Sequence, residues 1–154
     1  MAEFSFKKIS KGEFKGVLRG DLVRLLPPDF FEDPVAAVLR ADGRVVKESK
    51  LRWAAIFRLS EGERVFVKRG RIKGWPEALK FFLLPSKGRK EFFIARWMQN
   101  RRLPAPKSFG WMEREHRGLV KESYYLSEAI GSGSSLIDIL NWGGRFRLAP
   151  WRGR

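Results

Sequence analysis

Two charged residues in this sequence lie in patterns that suit them for chemistry: a lysine late in an apolar strand pattern and a glutamate early in a helical pattern. Lys68 follows the run 65–67, in which alternate residues share a face. Glu91 shares one predicted helix face with residues three, four and seven positions further on, Ile94, Ala95 and Met98. That face should lie against a sheet, where an unpaired carboxylate is costly, so we expect Glu91 to pair with Lys68. A lysine held in this way can meet a phosphate group.

Both residues also have plainer interpretations. From residue type alone, Lys68 is an ordinary lysine at the end of a strand. Glu91 can equally be a solvated acid in the first turn of a helix, where the helix dipole favours negative charge. The order of the elements around the two residues favours the paired interpretation over these.

The surrounding patterns predict an α+β fold with a five-stranded antiparallel sheet packed by one main helix. Apolar runs and period-two alternation place the strands at 35–46, 53–59, 64–69, 108–112 and 119–126. The first of these ranges is apolar over Val35–Arg40, has a turn at 41–44 and resumes with Val45-Val46. The helix is expected over residues 89–102, where neither Gly nor Pro occurs, with Ser86 as its cap. Residues 70–85 are predicted to be a loop, and 113–118 a charged turn.

The chain divides into three parts by composition. Residues 1–34 are interpreted as an N-terminal extension, in which Asp21–Leu26 forms a short helix before Pro27-Pro28. Residues 35–140 form the folded lobe. Residues 141–154 mix Gly, Arg, Trp and Pro without periodicity and are predicted to be a loose C-terminal tail.

At this point the sequence resembles a known family. Val65-Phe66-Val67-Lys68 resembles the Val-Ala-Ile-Lys strand of protein kinases. Residues 89–91 and 101–106 are similar to the helix and following turn of the bacterial lipopolysaccharide kinases (Kdo/WaaP-type), which phosphorylate sugars of the lipid A–core. Residues 124–130 resemble that family's fifth strand and hinge. The resemblance covers roughly residues 35–140 and implies a kinase-like amino-terminal lobe with an αC-type helix. RIO-type kinases have the same order of elements.

The resemblance implies a role for each matching position. Lys68 would contact the phosphates of ATP, and Glu91 would orient that lysine. Glu128 would offer its backbone carbonyl, and Ile130 its backbone N–H, to the adenine ring. Ser127 would be the gatekeeper residue beside the hinge.

The sequence departs from the kinase pattern between the first two strands. No glycine-rich loop occurs there, so backbone N–H groups cannot approach phosphate as freely. The side chains of Lys47, Ser49 and Arg52 are hypothesised to contact the phosphates instead. Phe66 stands where protein kinases have a small residue above adenine, which predicts a bulkier roof over the base.

The residues that would transfer a phosphoryl group are missing. After Glu128 the only acidic residue is Asp138, and nothing matches a catalytic loop or a metal-binding Asp-Phe-Gly motif. We therefore predict no catalytic residue and no metal ligand in this chain, and expect Mg²⁺ only if a carboxy-terminal lobe is supplied. The chain is expected to be inactive alone, as a truncated or frame-shifted gene product would be.

Composition sets the expected partners. The net charge is +15, which attracts polyanions, and there are no cysteines for disulfides or thiolate metal sites. No run of 18 apolar residues occurs, so a cytoplasmic protein is expected, with peripheral contact at the anionic inner face of the inner membrane. ATP and phosphorylated lipid A–core sugars are the partners that the resemblance implies. Interleaved basic and aromatic residues, as in Arg52-Trp53 and Arg96-Trp97, leave a nucleic-acid-binding module as an alternative, and a non-enzymatic interaction fragment is another.

Overall fold

The structure, a computed structural model, describes residues 5–130. The strands in this part of the chain are β1 (Phe6–Lys11), β2 (Phe14–Arg19), β3 (Arg44–Glu48), β4 (Arg52–Arg58), β5 (Arg64–Arg71), β6 (Ser108–His116) and β7 (Leu119–Glu128). The helices are α1 (Leu22–Leu25), α2 (Pro34–Arg40), α3 (Gly74–Leu83) and α4 (Lys87–Asn100). The predicted tail at 141–154 and the residues just before it lie outside the described residues.

The described strands form one sheet in the order β1-β2-β6-β7-β5-β4-β3, with every neighbouring pair antiparallel. The fold is α+β, but the predicted five-stranded sheet packed by one main helix is wrong, because β1 and β2 extend the sheet to seven strands. β2 pairs directly with β6, and Gly16 lies opposite Met112. A Cβ at Gly16 would lie 2.2 Å from the carbonyl oxygen of Trp111, so the close approach of these strands requires glycine there.

The two faces of the sheet are covered by different helices. Val65 and Val67 on β5 point into the larger core, which also contains Leu22 of α1 and Val38 of α2. Tyr125 of β7 points to the opposite face, where it packs with Phe92 and Ala95 of α4. The sheet therefore lies between two helical layers, and the lysine at position 68 is on the α4 side.

The prediction of a strand at 35–40 is also wrong, because these residues form helix α2. The Asp33 side chain accepts a hydrogen bond from the backbone N–H of Ala36 at 3.2 Å, and Pro34 occupies the first turn. An acidic cap followed by proline is a helix start signal that the apolar run 35–40 obscured, because a short apolar run alone does not distinguish a helix from a strand.

Asp33→Ala should lower the free energy of unfolding by about 1 kcal/mol, because the first turn of α2 loses its cap. Glu32→Ala, at an exposed acid just before α2, is the control for loss of charge. Urea unfolding followed by circular dichroism measures both. Equal midpoints for Asp33→Ala and the wild type would contradict the capping role.

The segment between β5 and β6 contains two helices instead of one. The predicted loop at 70–85 is wrong over α3, where the Glu77 carboxylate accepts from the backbone N–H of Lys73 at 2.9 Å. Helix α4 starts two residues before its predicted position, and the predicted cap is confirmed, since Ser86 accepts from the N–H of Arg89. No helix of the described residues is long and apolar enough to cross a membrane.

Candidate functional site

Strand β5 places Lys68 on the α4 side of the sheet. Successive residues alternate between faces, so Val67 enters the larger core and Lys68 points the other way. Its cross-strand neighbours are Ala54 on β4 and Tyr125 on β7, which makes β5 an interior strand at this point. The backbone of an interior strand is held by hydrogen bonds on both sides, so the Cα of the lysine has a fixed position. Where its charged side chain is partly buried, it needs a partner of opposite charge.

Helix α4 brings Glu91 over that lysine because its first turn sits directly on β7. The backbone N–H of Gly88 donates to the Ser123 hydroxyl at 2.8 Å. A Cβ at Gly88 would lie 2.4 Å from the carbonyl oxygen of Tyr124, so only glycine allows this contact. Phe92 then packs against Tyr125 and fixes the rotation of the helix.

Lys68 and Glu91 form the ion pair expected from the sequence. The ammonium Nζ donates to Glu91 Oε1 at 2.9 Å and to Oε2 at 3.2 Å. Their side chains are 20% and 18% exposed, so water screens the pair less than it screens a surface pair. One ammonium group is thus held by one carboxylate between the sheet and the helix, which is the arrangement that positions a cation for an anionic ligand.

The pair lies in a cleft of about 440 Å³ between the sheet and the start of α4. This volume is in the range of small-molecule sites. Besides Lys68, the cations that line it are Lys47, Arg52, Arg69, Lys87 and Lys90. Arg69 is engaged elsewhere, since its Nε lies 3.6 Å from the carboxylate of Glu122. Glu91 is the only acid among the described residues that line the cleft, so the cleft carries a strong excess of positive charge.

Of the three residues proposed to replace a glycine-rich loop, the structure brings two into the cleft. Lys47 and Arg52 line it from β3 and β4. Ser49 does not, because its hydroxyl is hydrogen-bonded within the turn, to the backbone N–H of Arg52 at 3.1 Å and to the carbonyl of Arg52 at 3.3 Å. Ser49 therefore shapes the turn that carries Arg52.

Neither of the two residues predicted to contact adenine lines the cleft, since Glu128 is the last residue of β7 and Ile130 lies two residues beyond it. The N–H of Glu128 donates to the carbonyl of Lys107 at 2.9 Å, and the Glu128 carbonyl accepts from the Ser127 hydroxyl at 3.3 Å. Ile130 is 38% exposed. Between them, Ala129 packs against the apolar cluster of Ala54, Ile56 and Phe66, two of whose members also line the cleft.

Sequence reasoning missed several residues of the cleft. Lys87 and Lys90 were visible only as a basic run that opposes the helix dipole, a signal that favours an anionic partner. Tyr125 carried no signal. It accepts a hydrogen bond from the Ser108 hydroxyl at 3.0 Å, and burial raises the pKa of its phenol well above the ordinary value. Tyr125 is thus a neutral wall of the cleft at physiological pH.

No family model matches the sequence, and comparison with curated proteins and with solved structures gives no match either. Within residues 5–130, no three side chains of His, Cys, Asp or Glu converge as a metal site requires.

Proposed function

We propose that this chain binds ATP in the Lys68–Glu91 cleft, as the nucleotide-binding part of a kinase-like protein similar to the lipopolysaccharide (Kdo/WaaP-type) sugar kinases. The observation that carries the proposal is the ion pair at 2.9 Å between an interior strand and the facing helix. It joins a strand-borne cation to a helix-borne carboxylate in the chain order that the resemblance implies. In kinases this arrangement holds the lysine that contacts the nucleotide phosphates.

The cations of the cleft suit the phosphates of a nucleotide, and its apolar residues suit the base. Lys47 and Arg52 approach from the strands, and Lys87 and Lys90 from α4, so four further cations surround Lys68. Charge-assisted contacts to phosphate are stronger than neutral ones. The apolar residues Ala54 and Phe66 offer a surface for the adenine ring next to the end of β7.

The resemblance also suggests an acceptor and a location. Phosphorylated lipid A–core sugars would be the acceptors, at the anionic inner face of the inner membrane, and the basic protein would contact that membrane peripherally. The described residues offer no carboxylate cluster for Mg²⁺, so no metal ligand is proposed among them. That the catalytic base lies outside them stays a prediction from the sequence. The function proposed for the described residues is therefore nucleotide binding, and phosphoryl transfer is not proposed for them.

A second candidate function rests on helix α4. Phe93 and Trp97 are 52% and 51% exposed, and Arg101 lies 4.2 Å from the ring centroid of Trp97. Exposed aromatic rings among arginines are typical of surfaces that bind single-stranded nucleic acid. A salt titration of RNA binding separates the two functions, because nucleic-acid binding predicts a steep loss of affinity with salt and useful affinity near physiological salt.

ATP should raise the melting temperature of the protein more than ADP does, ADP more than AMP, and adenosine least, because each phosphate removed takes away contacts with the cations of the cleft. Differential scanning fluorimetry at fixed ionic strength measures the series. Inorganic triphosphate without the base is the control for purely electrostatic binding and should raise the melting temperature less than ATP. No increase with millimolar ATP would favour the non-enzymatic interaction fragment over a nucleotide site.

A further inference from the structure

Helix α3 presents a row of large apolar side chains to solvent. Trp75, Leu79 and Leu83 recur every four residues and are 67%, 49% and 89% exposed. We call these three residues the α3 stripe. On the inner side of the same helix, Ala78 is 1% exposed and Phe81 is half-buried, so α3 is anchored to the protein while its apolar outer side faces water. A contiguous exposed apolar row of this kind marks an interaction surface.

Basic residues lie on α3 and in the segments that flank it. Lys80 is exposed on α3, Lys73 is exposed at the N-cap of α3, and Lys87 is exposed at the start of α4. The single acid of α3, Glu77, is half-buried and accepts a hydrogen bond from the backbone of Lys73. A partner of this surface therefore has to offer apolar groups to the α3 stripe and negatively charged groups to the lysines.

We propose that the α3 stripe docks on an anionic lipid bilayer, with α3 lying flat in the interface. A helix of ten residues is about 15 Å long, far too short to span the hydrocarbon core, which leaves insertion of one side into the headgroup region. Trp75 suits the boundary between headgroups and acyl chains, and the leucines suit the acyl chains. Lys73, Lys80 and Lys87 would meet the lipid phosphates.

The other possible occupants fit less well. Nucleic-acid bases stack on flat rings, whereas two of the three residues of the α3 stripe are leucines. A second copy of the chain would bring the same lysines face to face around the stripe, which costs free energy through repulsion of like charges. The bilayer is the partner whose charge is opposite to that of the surrounding residues.

This docking surface gives a position to the membrane contact implied by the proposed function. Neither the α3 stripe nor Lys73 and Lys80 line the cleft, and Lys87 is the one residue that belongs to both surfaces. Lys68→Ala should therefore leave vesicle binding unchanged. Loss of nucleotide binding with intact vesicle binding would overturn the nucleotide site alone. Loss of vesicle binding on changing the α3 stripe, with nucleotide binding intact, would support the docking surface.

The test is co-sedimentation of the full chain with phosphatidylcholine vesicles, with and without an equal part of phosphatidylglycerol. The wild type should bind the mixed vesicles, and the double variant Leu79→Gln/Leu83→Gln should bind at least about tenfold more weakly. The matched control is Leu39→Gln/Leu103→Gln, whose leucines are 49% and 43% exposed elsewhere on the surface. It should bind within about twofold of the wild type and melt at the same temperature.

A second readout does not depend on the folding of those variants. Brominated lipids should quench part of the tryptophan fluorescence of the wild type, and that part should disappear in Trp75→Phe. The proposal is overturned if the wild type fails to sediment with anionic vesicles, or if both double variants lose binding equally. It is likewise overturned if the α3 stripe variants lose only self-association or only oligonucleotide binding.

Discussion

Replacing Gly88 with alanine should lower the free energy of unfolding by about 3 kcal/mol. In an exposed helix the same change would stabilise the protein, because alanine is the better helix former by about 1 kcal/mol. Here the added methyl group would lie 2.4 Å from the Tyr124 carbonyl oxygen and 2.7 Å from the Ser123 hydroxyl. Both atoms belong to β7, so the start of α4 has to lift off the sheet.

The displacement should also weaken the site, since Glu91 lies less than one turn beyond Gly88. Urea unfolding gives the stability, and the increase in melting temperature with ATP gives the effect on the site. Gly70→Ala is the control for the stability measurement, because no atom lies within 4 Å of its added methyl group and its φ is not positive. It does not serve as a control for ATP binding, since Gly70 lines the cleft. A Gly88→Ala protein as stable as the wild type would show that α4 does not rest on β7 at this point.

The second large effect concerns the ion pair. Lys68→Met and Glu91→Gln should each lower the free energy of unfolding by about 2 kcal/mol, because each leaves a partly buried charge without its partner. The double variant should cost little more than either single one, which gives a coupling free energy of about 1–2 kcal/mol. Urea unfolding of all four proteins, with and without added NaCl, measures the coupling.

The Lys15–Glu115 pair is the matched control for this cycle. Its charged atoms are 3.0 Å apart, against 2.9 Å for Lys68 and Glu91, but the lysine is 61% exposed. Its coupling should stay under about 1 kcal/mol and should decrease with salt, whereas the Lys68–Glu91 coupling should persist. Additive costs for Lys68→Met and Glu91→Gln would mean that the two residues do not hold each other in solution.

The Lys68–Glu91 pair could be predicted from the sequence because its determinants are local. Period-two alternation fixes the face of Lys68, and a serine cap fixes the start of α4. The rotation of α4 was predicted less well. Ile94 was expected on the sheet side, yet it is 49% exposed and lines the cleft. The buried side runs through Phe92 and Ala95 because the contact at Gly88 sets how the helix turns on β7.

The parts of the fold that were missed depend on distant contacts or on competing local signals. β2 pairs with β6, almost 100 residues away along the chain, and no pattern within residues 14–19 indicates that partner. The run 35–40 fits both a helix and a strand until the cap at Asp33 is recognised. The cations Lys87 and Lys90 became part of a site only when α4 was placed over the sheet.

The central claim is that Lys68 receives the phosphates of a nucleotide, and calorimetric titration of ATP into the wild type and Lys68→Ala tests it most directly. Lys8→Ala, on β1 at the far edge of the sheet, removes the same charge outside the cleft. We predict that the wild type and Lys8→Ala bind ATP with the same affinity and that Lys68→Ala binds at least about tenfold more weakly. Equal affinity of all three proteins for ATP would contradict the claim.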